Sequence, residues 1–177
     1  MLALAIVGCG AAAAPNAADY PPFKPPAGQP RALVALQDQA HQILPGGLPA
    51  FQKRLAALKG YPVVVNKWAS WCGPCAAEFP YFAQVAQKDA GQVAFMGVDS
   101  MDDSAAAATF LDSHPVPFPS YSDPDTKISQ DLKSGVAWPS TTFYDANGKF
   151  QYTKQGAYAN EQLLVQDIER YALGNDR

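Results

Sequence analysis

The stretch VVVNKWASWCGPCAAEFP, residues 63–80, decides the fold of this chain of 177 residues. Its first half is rich in β-branched residues and predicts a buried strand. The second half predicts a helix whose apolar face continues through Phe79, Phe82, Val85 and Ala86. Cys72 and Cys75 lie three residues apart where this helix begins. Two cysteines at this spacing have three possible roles: a redox-active pair, a structural disulfide or half of a metal site. The rest of the sequence discriminates among the three roles.

The position of Cys72 favours a reactive thiolate. A cysteine at a helix N-terminus faces unpaired backbone N–H groups and the positive end of the helix dipole, which stabilise the thiolate. Cys72 is therefore the candidate nucleophile. Cys75, one turn further and shielded by the helix, is the candidate resolving thiol. Gly73 lets another chain come close, and Pro74 falls at an early helix position where a missing N–H costs nothing.

Aromatic residues flank the two cysteines. Trp68, Trp71 and Phe79 are predicted to form an apolar collar, called here the aromatic collar. Exposed apolar surface of this kind suits contact with another polypeptide. The predicted partner at this surface is therefore another polypeptide.

Helical and strand patterns alternate from Arg31 onward. Helices are predicted near residues 33–40, 51–59, 76–86, 102–114, 123–135 and 160–173. Strands are predicted at residues 61–69 and 92–100, and as a hairpin over residues 140–154 that turns at Asn147-Gly148. This order predicts an α/β three-layer sandwich, with a central mixed sheet between helices and an N-terminal helical extension.

The first thirty residues differ in composition from the rest. MLALAIVGCG resembles the lipobox of bacterial lipoproteins, so residues 1–9 are predicted to be a residual signal in which Cys9 is lipidated. The run is shorter than the ~20 residues that span a bilayer, and it lacks a positively charged start. Residues 10–30, rich in proline and alanine, predict an extended tether, and residues 31–177 predict one domain. The alternatives for Cys9 are a stray cysteine or a plain secretory remnant.

Charge and histidine content exclude some classes of function. A net charge of -3 and a pI of about 5.2 leave no basic stripe for phosphates, so nucleic acid is not a predicted partner. Neither His41 nor His114 stands at a spacing that would make a zinc site with the cysteines. No metal and no cofactor is predicted.

The segment that contains WCGPC resembles the active-site segment of thioredoxin-like proteins, above all the TlpA/ResA branch of extracytoplasmic thiol-disulfide oxidoreductases. The resemblance continues through VAFMGVDS, FLDSHPVPFPSYSDPD and GVAWPSTTFYDANGKF and covers residues 60–172. It implies a thioredoxin-like fold in which Pro139 is the cis-proline that faces the cysteines and Pro80 kinks their helix. Trp138 and Pro139 would then line the substrate groove.

The resemblance also implies a reaction. A mixed disulfide with a partner protein would form on Cys72 and be resolved by Cys75. The Gly-Pro pair between the cysteines is that of thioredoxin, whose potential is about -270 mV, and indicates a reductase. Outside the cytoplasm such a reductase needs a membrane electron donor, as in cytochrome c maturation. The alternative is an oxidase that forms disulfides in secreted proteins, because the fold supports both directions.

Three positions depart from the usual family pattern. Thioredoxin has a buried aspartate where this chain has Asn66, and an amide cannot accept a proton from Cys75. Glu78, one turn beyond Cys75, is the nearest candidate carboxylate, and the alternative is a solvated helix residue. Lys67 replaces an aromatic residue and is expected to reach the surface by its stem or to pair with a carboxylate. Trp138 is bulkier than the usual valine or threonine and is expected to narrow the range of substrates.

Four other classes fit the pattern less well. A structural disulfide between Cys72 and Cys75 closes too small a loop to add much stability. A copper-binding module of the Sco type needs a CxxxC and a distal histidine, whereas the spacing here is one residue shorter and His114 lies in a Pro-rich loop. A peroxidase lacks supporting threonine and arginine, and a catalytically silent interaction domain leaves the reactive residues unexplained.

Overall fold

The computed structural model describes residues 27–175. The predicted lipidation site Cys9 lies outside the described residues, as does most of the predicted tether. Within this range, six strands form one mixed sheet. In spatial order they are β1 (Ile43–Leu44), β4 (Ser120–Asp123), β3 (Ala94–Ser100), β2 (Val63–Trp68), β5 (Ser140–Tyr144) and β6 (Phe150–Gln155). The pairs β1–β4, β4–β3 and β3–β2 are parallel, while β5 runs antiparallel to both β2 and β6.

Helices cover both faces of the sheet. They are α1 (Arg31–Gln37), α2 (Gly47–Ala57), α3 (Gly73–Lys88), α4 (Ser104–Ser113), α5 (Lys127–Asp131) and α6 (Glu161–Asp167), which continues as a π-helical turn at Ile168–Ala172. Buried residues of α3, α4 and α6 form one core with the sheet, and those of α1, α2 and α5 form a second core on the opposite face. The predicted α/β three-layer sandwich is confirmed.

Strand β2 lies at the centre, and all six of its residues are buried. Because side chains alternate along a strand, Val64 and Trp68 belong to the core beneath α3, whereas Val63 and Val65 belong to the opposite core. A continuous run of β-branched residues is expected for a strand covered on both faces.

The topology brings three chain segments to one edge of the sheet. Strands β2 and β3 are parallel, so both end at this edge, and Trp68 pairs with Asp99. Strand β5 is antiparallel to β2 and therefore begins there, with Ser140 opposite Lys67. The start of α3, the turn after β3 and the residues before β5 consequently meet at one site.

Strands β1 and β4 were not predicted from the sequence. Strand β1 has two residues, and β4 follows a Pro-rich stretch that predicts a loop. Both are held by pairing with distant parts of the chain, since Ser120 pairs with Ile43 on one side and with Gly97 on the other. Local patterns do not contain this information.

Candidate active site

Cys72 and Cys75 form a disulfide at the N-terminus of α3. Cys72 is the N-cap residue, and its Sγ accepts a hydrogen bond from the backbone N–H of Cys75 at 3.2 Å. Pro74 lies in the first turn, where a missing donor removes no helical hydrogen bond. Both cysteines are buried in the disulfide form, and Cys72, at 4% exposed against 0% for Cys75, has the small part of the pair's surface that remains open.

The aromatic collar is only partly at the surface. Trp71 is 58% exposed, but Trp68 and Phe79 are buried in the core, so the prediction that all three form a contact surface is wrong. Their rings pack edge to face at 5.3 Å, and Phe110 stacks on Trp68 at 4.9 Å. The buried pair therefore supports the active-site turn from below, and of these three residues Trp71 is the exposed one.

The turn after β3 holds the residues that precede Cys72. The carboxylate of Asp102 accepts hydrogen bonds from the backbone N–H and the hydroxyl of Ser70, and the hydroxyl bond is 2.8 Å long. The indole Nε1 of Trp71 donates to the carbonyl of Met101 at 3.0 Å. The sequence did not predict these contacts, because they join positions about thirty residues apart.

Asp99 adds a buried carboxyl group to the same turn. It is 2% exposed, and burial raises its pKa to about 8, with further contributions from the neighbouring carboxylates, Asp102 first among them. Asp99 is therefore mostly protonated at neutral pH. Its position at the end of β3 was the one sequence signal that could have placed this carboxyl group near the site.

Trp138 and Pro139, which the resemblance to thioredoxin-like proteins assigns to a substrate groove, directly precede β5. The Trp138–Pro139 peptide bond is cis. The ring centroid of Trp138 is 5.4 Å from that of Trp71, which directly precedes Cys72. An open, largely apolar pocket of about 600 Å³ adjoins Trp138 and is also lined by Met101, Gly135 and Val136. The contact between the two tryptophan rings thus joins this pocket to the turn that carries Cys72.

Glu78 is buried beneath the active-site turn. The alternative of a solvated helix residue is wrong, since Glu78 is 0% exposed. Its Oε1 accepts a hydrogen bond from Nδ2 of Asn66 at 2.8 Å, and its Oε2 accepts one from the backbone N–H of Tyr158 at 2.9 Å. Burial raises the pKa of Glu78 to about 7, although these hydrogen bonds and the charge of Lys154 oppose the rise. A carboxyl group of this pKa both accepts and releases a proton near neutral pH.

Lys67 is also buried, on the opposite face of β2. The expectation that it reaches the surface by its stem is wrong, because its exposure is 0%. Its Nζ donates to the carbonyl of Gly135 at 3.1 Å and lies 4.0 Å from the ring centroid of Trp138. Burial lowers the pKa of Lys67 to about 8, and the charge of Asp123 partly offsets this.

The described residues contain neither a cluster of metal-ligating side chains nor a helix that could span a membrane. Across residues 27–175, no group of three or more His, Cys, Asp and Glu side chains has the arrangement of a metal site. Over the same residues, every helix is too short or too polar to cross a lipid bilayer.

The fold and the cysteine pair at a helix N-terminus define a thioredoxin-like protein. A solved structure with this architecture is that of a secreted Mycobacterium tuberculosis disulfide oxidoreductase homologous to E. coli DsbE. It is 29% identical with a TM-score of 0.57, and the match covers 65% of this chain and 85% of that one.

The sequence comparisons lead to the family. A model described as Redoxin matches residues 47–170, more than half of the chain, and the chain belongs to this family. Thiol-disulfide oxidoreductase ResA of Oceanobacillus iheyensis is 31% identical over 111 residues, which cover 62% of this chain and 57% of the relative. Thiol:disulfide interchange protein DsbE of Pseudomonas aeruginosa is 33% identical over 143 residues, which cover 80% of this chain and 73% of the relative.

Proposed function

We propose that the protein is an extracytoplasmic thiol-disulfide oxidoreductase that acts on disulfides of other proteins through Cys72 and Cys75. The observation that carries this proposal is the geometry of Cys72, whose Sγ caps α3 and accepts the N–H of Cys75. The same contact stabilises a thiolate after the disulfide is reduced. The names of the ResA and DsbE relatives describe the same class of reaction.

The reaction runs through a mixed disulfide. In the reductive direction, the Cys72 thiolate attacks one sulfur of a substrate disulfide, and the other substrate sulfur leaves as a thiolate that takes up a proton. Cys75 then loses its proton and attacks Sγ of Cys72. The second substrate sulfur leaves and is protonated, so two electrons and two protons pass to the substrate while the Cys72–Cys75 disulfide forms.

Glu78 is the proposed acceptor of the Cys75 proton. It lies three residues beyond Cys75 on α3, so both side chains lie on the same side of the helix, and both are 0% exposed. Asn66 replaces the aspartate of thioredoxin and donates a hydrogen bond to the carboxyl group of Glu78. In this chain the carboxyl group near Cys75 therefore comes from Glu78 on α3, whereas in thioredoxin it comes from the strand that corresponds to β2.

Substrate polypeptide is proposed to bind across Trp71, Trp138 and Pro139. Trp71 is exposed, and its ring packs against that of Trp138, beside the apolar pocket that includes Val136. An extended segment that binds here places its disulfide next to Cys72, the more accessible of the two sulfurs.

The direction of exchange is proposed to be reduction, as in the maturation of c-type cytochromes, with electrons supplied by a membrane protein. The Gly-Pro pair between the cysteines supports a reducing potential. Lipidation at Cys9 is the proposed means of attachment to the outer side of the membrane. The other candidate is an oxidase of secreted proteins, and the redox potential distinguishes the two.

Cysteine variants test the reaction itself. Reduced Cys75→Ser protein mixed with a disulfide-bonded protein such as insulin is expected to accumulate a mixed disulfide, because Cys72 still attacks and nothing resolves the product. The Cys72→Ser variant is the matched control and should form none. Exchange in Cys72→Ser at the wild-type rate would overturn the proposal.

Equilibration of the wild-type protein with glutathione tests the direction. A potential near that of thioredoxin, about -270 mV, is expected. A potential near that of DsbA, about -120 mV, would assign the protein to the oxidases.

A further inference from the structure

Lys67 is a buried cation that the exchange reaction above does not use. It occupies the centre of the sheet on β2, between β3 and β5, and points away from α3, because Asn66 and Trp68 on either side of it face that helix. Removing an ammonium group from water is unfavourable unless other groups compensate for the lost hydration. The groups that replace the lost hydration of the Lys67 ammonium group therefore indicate the function of this side chain.

Both direct partners of the ammonium group lie in one segment, residues 133–139, which joins α5 to β5. Nζ donates to the carbonyl of Gly135 at 3.1 Å and stands 4.0 Å from the ring centroid of Trp138. The charge of Asp123 acts on Lys67 as well, but the carboxylate of Asp123 accepts hydrogen bonds from the start of α5 and from Ser100. The close contacts of Lys67 are therefore contacts to the 133–139 segment.

Other contacts of this segment lie before Trp138. Ser134 is buried, and its N–H and hydroxyl both donate to the carbonyl of Ser129, whereas Val136 is 93% exposed and Gly135 adopts a positive φ of 58°. Among the described residues, Nε1 of Trp138 finds no hydrogen-bond partner, so its ring is positioned by packing against Trp71 and the neighbouring core and by the cation beneath it. Gly135 and Trp138 also both line the open pocket that includes Met101 and Val136.

We propose that Lys67 is a positioning residue for substrate recognition, whose charge holds Gly135 and Trp138 in the geometry that receives the apolar residues flanking a substrate disulfide. The inference rests on the proposed function and extends it to the class of substrate, an extended protein segment with apolar side chains. Lys67 does not touch the reacting sulfurs. Its loss is therefore expected to weaken binding of protein substrates and to leave the exchange chemistry unchanged.

Lys67→Met, which keeps the length of the side chain and removes the charge, separates binding from chemistry. We expect KM for reduction of insulin to rise about tenfold with kcat unchanged, while the rate with a small disulfide such as oxidised glutathione and the Cys72/Cys75 potential stay at the wild-type values. Lys67→Arg keeps a cation near Trp138 and should restore KM to within about threefold. Lys88→Met, at an exposed surface ion pair, is the matched control and should leave KM unchanged.

Each outcome bears on the proposal. An unchanged KM in Lys67→Met, or a fall in kcat and in small-disulfide reactivity together, would overturn it. If Lys67→Met does not fold, the same assays use Lys67→Gln, which keeps a donor for Gly135. Failure of both variants to fold would also overturn the proposal, because a lysine that positions only a surface segment is not required for folding. Absence of any insulin reduction by the wild-type protein would instead overturn the proposed function.

Discussion

At the scale of single residues, two buried ionisable groups distinguish this site. Glu78 and Lys67 lie on opposite faces of the sheet, one beneath the disulfide and the other beneath Trp138. Burial moves both pKa values toward neutrality, to about 7 for Glu78 and about 8 for Lys67. The same physical cause raises the pKa of the acid and lowers that of the base, because burial disfavours the charged form of each.

Glu78→Gln is expected to slow the resolution of the mixed disulfide. The amide cannot accept the proton of Cys75, and loss of a general base typically costs about 10²-fold or more. Rapid-mixing measurements of substrate release near pH 7 from the Cys72 mixed disulfide report this step. Glu161→Gln, a carboxylate on the surface of α6, is the control. If Glu78→Gln resolves the mixed disulfide at the wild-type rate, Glu78 is not the proton acceptor and its role is structural.

The same variant changes how stability depends on pH. Glu78 has a pKa of about 7 in the folded protein, raised from an ordinary value of 4.5. A carboxyl group with a raised folded-state pKa contributes stability that is complete below the unfolded pKa and is lost as pH rises through the folded one. The free energy of unfolding of the wild type should therefore fall relative to Glu78→Gln from pH 4.5 to about 7, by at most about 1.4 kcal/mol per pH unit.

Urea denaturation of the two oxidised proteins at several pH values measures this difference. Other ionisable groups are common to both proteins and cancel to first order. Glutamine at position 78 makes different hydrogen bonds from glutamate, which changes the free energy of unfolding by an amount that does not depend on pH. The quantity to compare is therefore the slope, with pH, of the difference in unfolding free energy between the two proteins. A difference that stays the same across the range would show that folding does not shift the pKa of Glu78 and would contradict the prediction.

At the scale of elements, helix N-termini organise the site. Cys72 caps α3, and Asp103 caps α4 by accepting the backbone N–H groups of Ala105 and Ala106 at 3.0 Å each. The neighbouring Asp102 has a different role, because its carboxylate accepts the hydroxyl of Ser70 and supports the turn that carries Cys72.

The N-terminus of α3 is expected to lower the pKa of Cys72 in the reduced protein. The N–H of Cys75 and the helix dipole both favour the thiolate, so the pKa should lie below the free value of ~8.5. Rates of alkylation by iodoacetamide against pH, measured on a Cys9→Ser, Cys75→Ser protein, report Cys72 alone. The urea-unfolded protein is the control, with an inflection near the free value. An equal or higher inflection in the folded protein would contradict the prediction.

At the scale of the whole molecule, the site exists because of the strand order. The ends of β2 and β3 and the start of β5 meet at one edge, which brings Trp71, Met101 and Trp138 together from three distant parts of the chain. Tyr158, further along the chain, completes the surroundings of Glu78.

The attachment of the molecule is tested on the full-length chain expressed in a bacterial host. Cys9→Ser is expected to move the protein from the membrane fraction to the soluble fraction, because one cysteine is the proposed lipid anchor. Insulin reduction by the purified variant should match that of the wild type, since the proposed exchange reaction uses only Cys72 and Cys75. Retention in the membrane, or loss of turnover, would refute the assignment of Cys9 as an anchor alone.

Local sequence patterns were enough for the elements that carry the chemistry. The β-branched run of β2, the start of α3 at the cysteines and the Asn147-Gly148 hairpin were all predicted, because their signals come from neighbouring residues. The position of Cys72 as the N-cap of α3, with Cys75 one turn further along, follows from the helix pattern in the same way.

Tertiary structure alone decided how the remaining site residues are used. Glu78 and Lys67 were visible as charged residues, but their burial depends on Tyr158 and on the 133–139 segment, which are far away in sequence. The buried state of Trp68 likewise depends on Phe110, which stacks against it from α4. Such contacts follow from strand pairing and helix packing between distant segments, whereas a sequence pattern reports only periodicity along one segment.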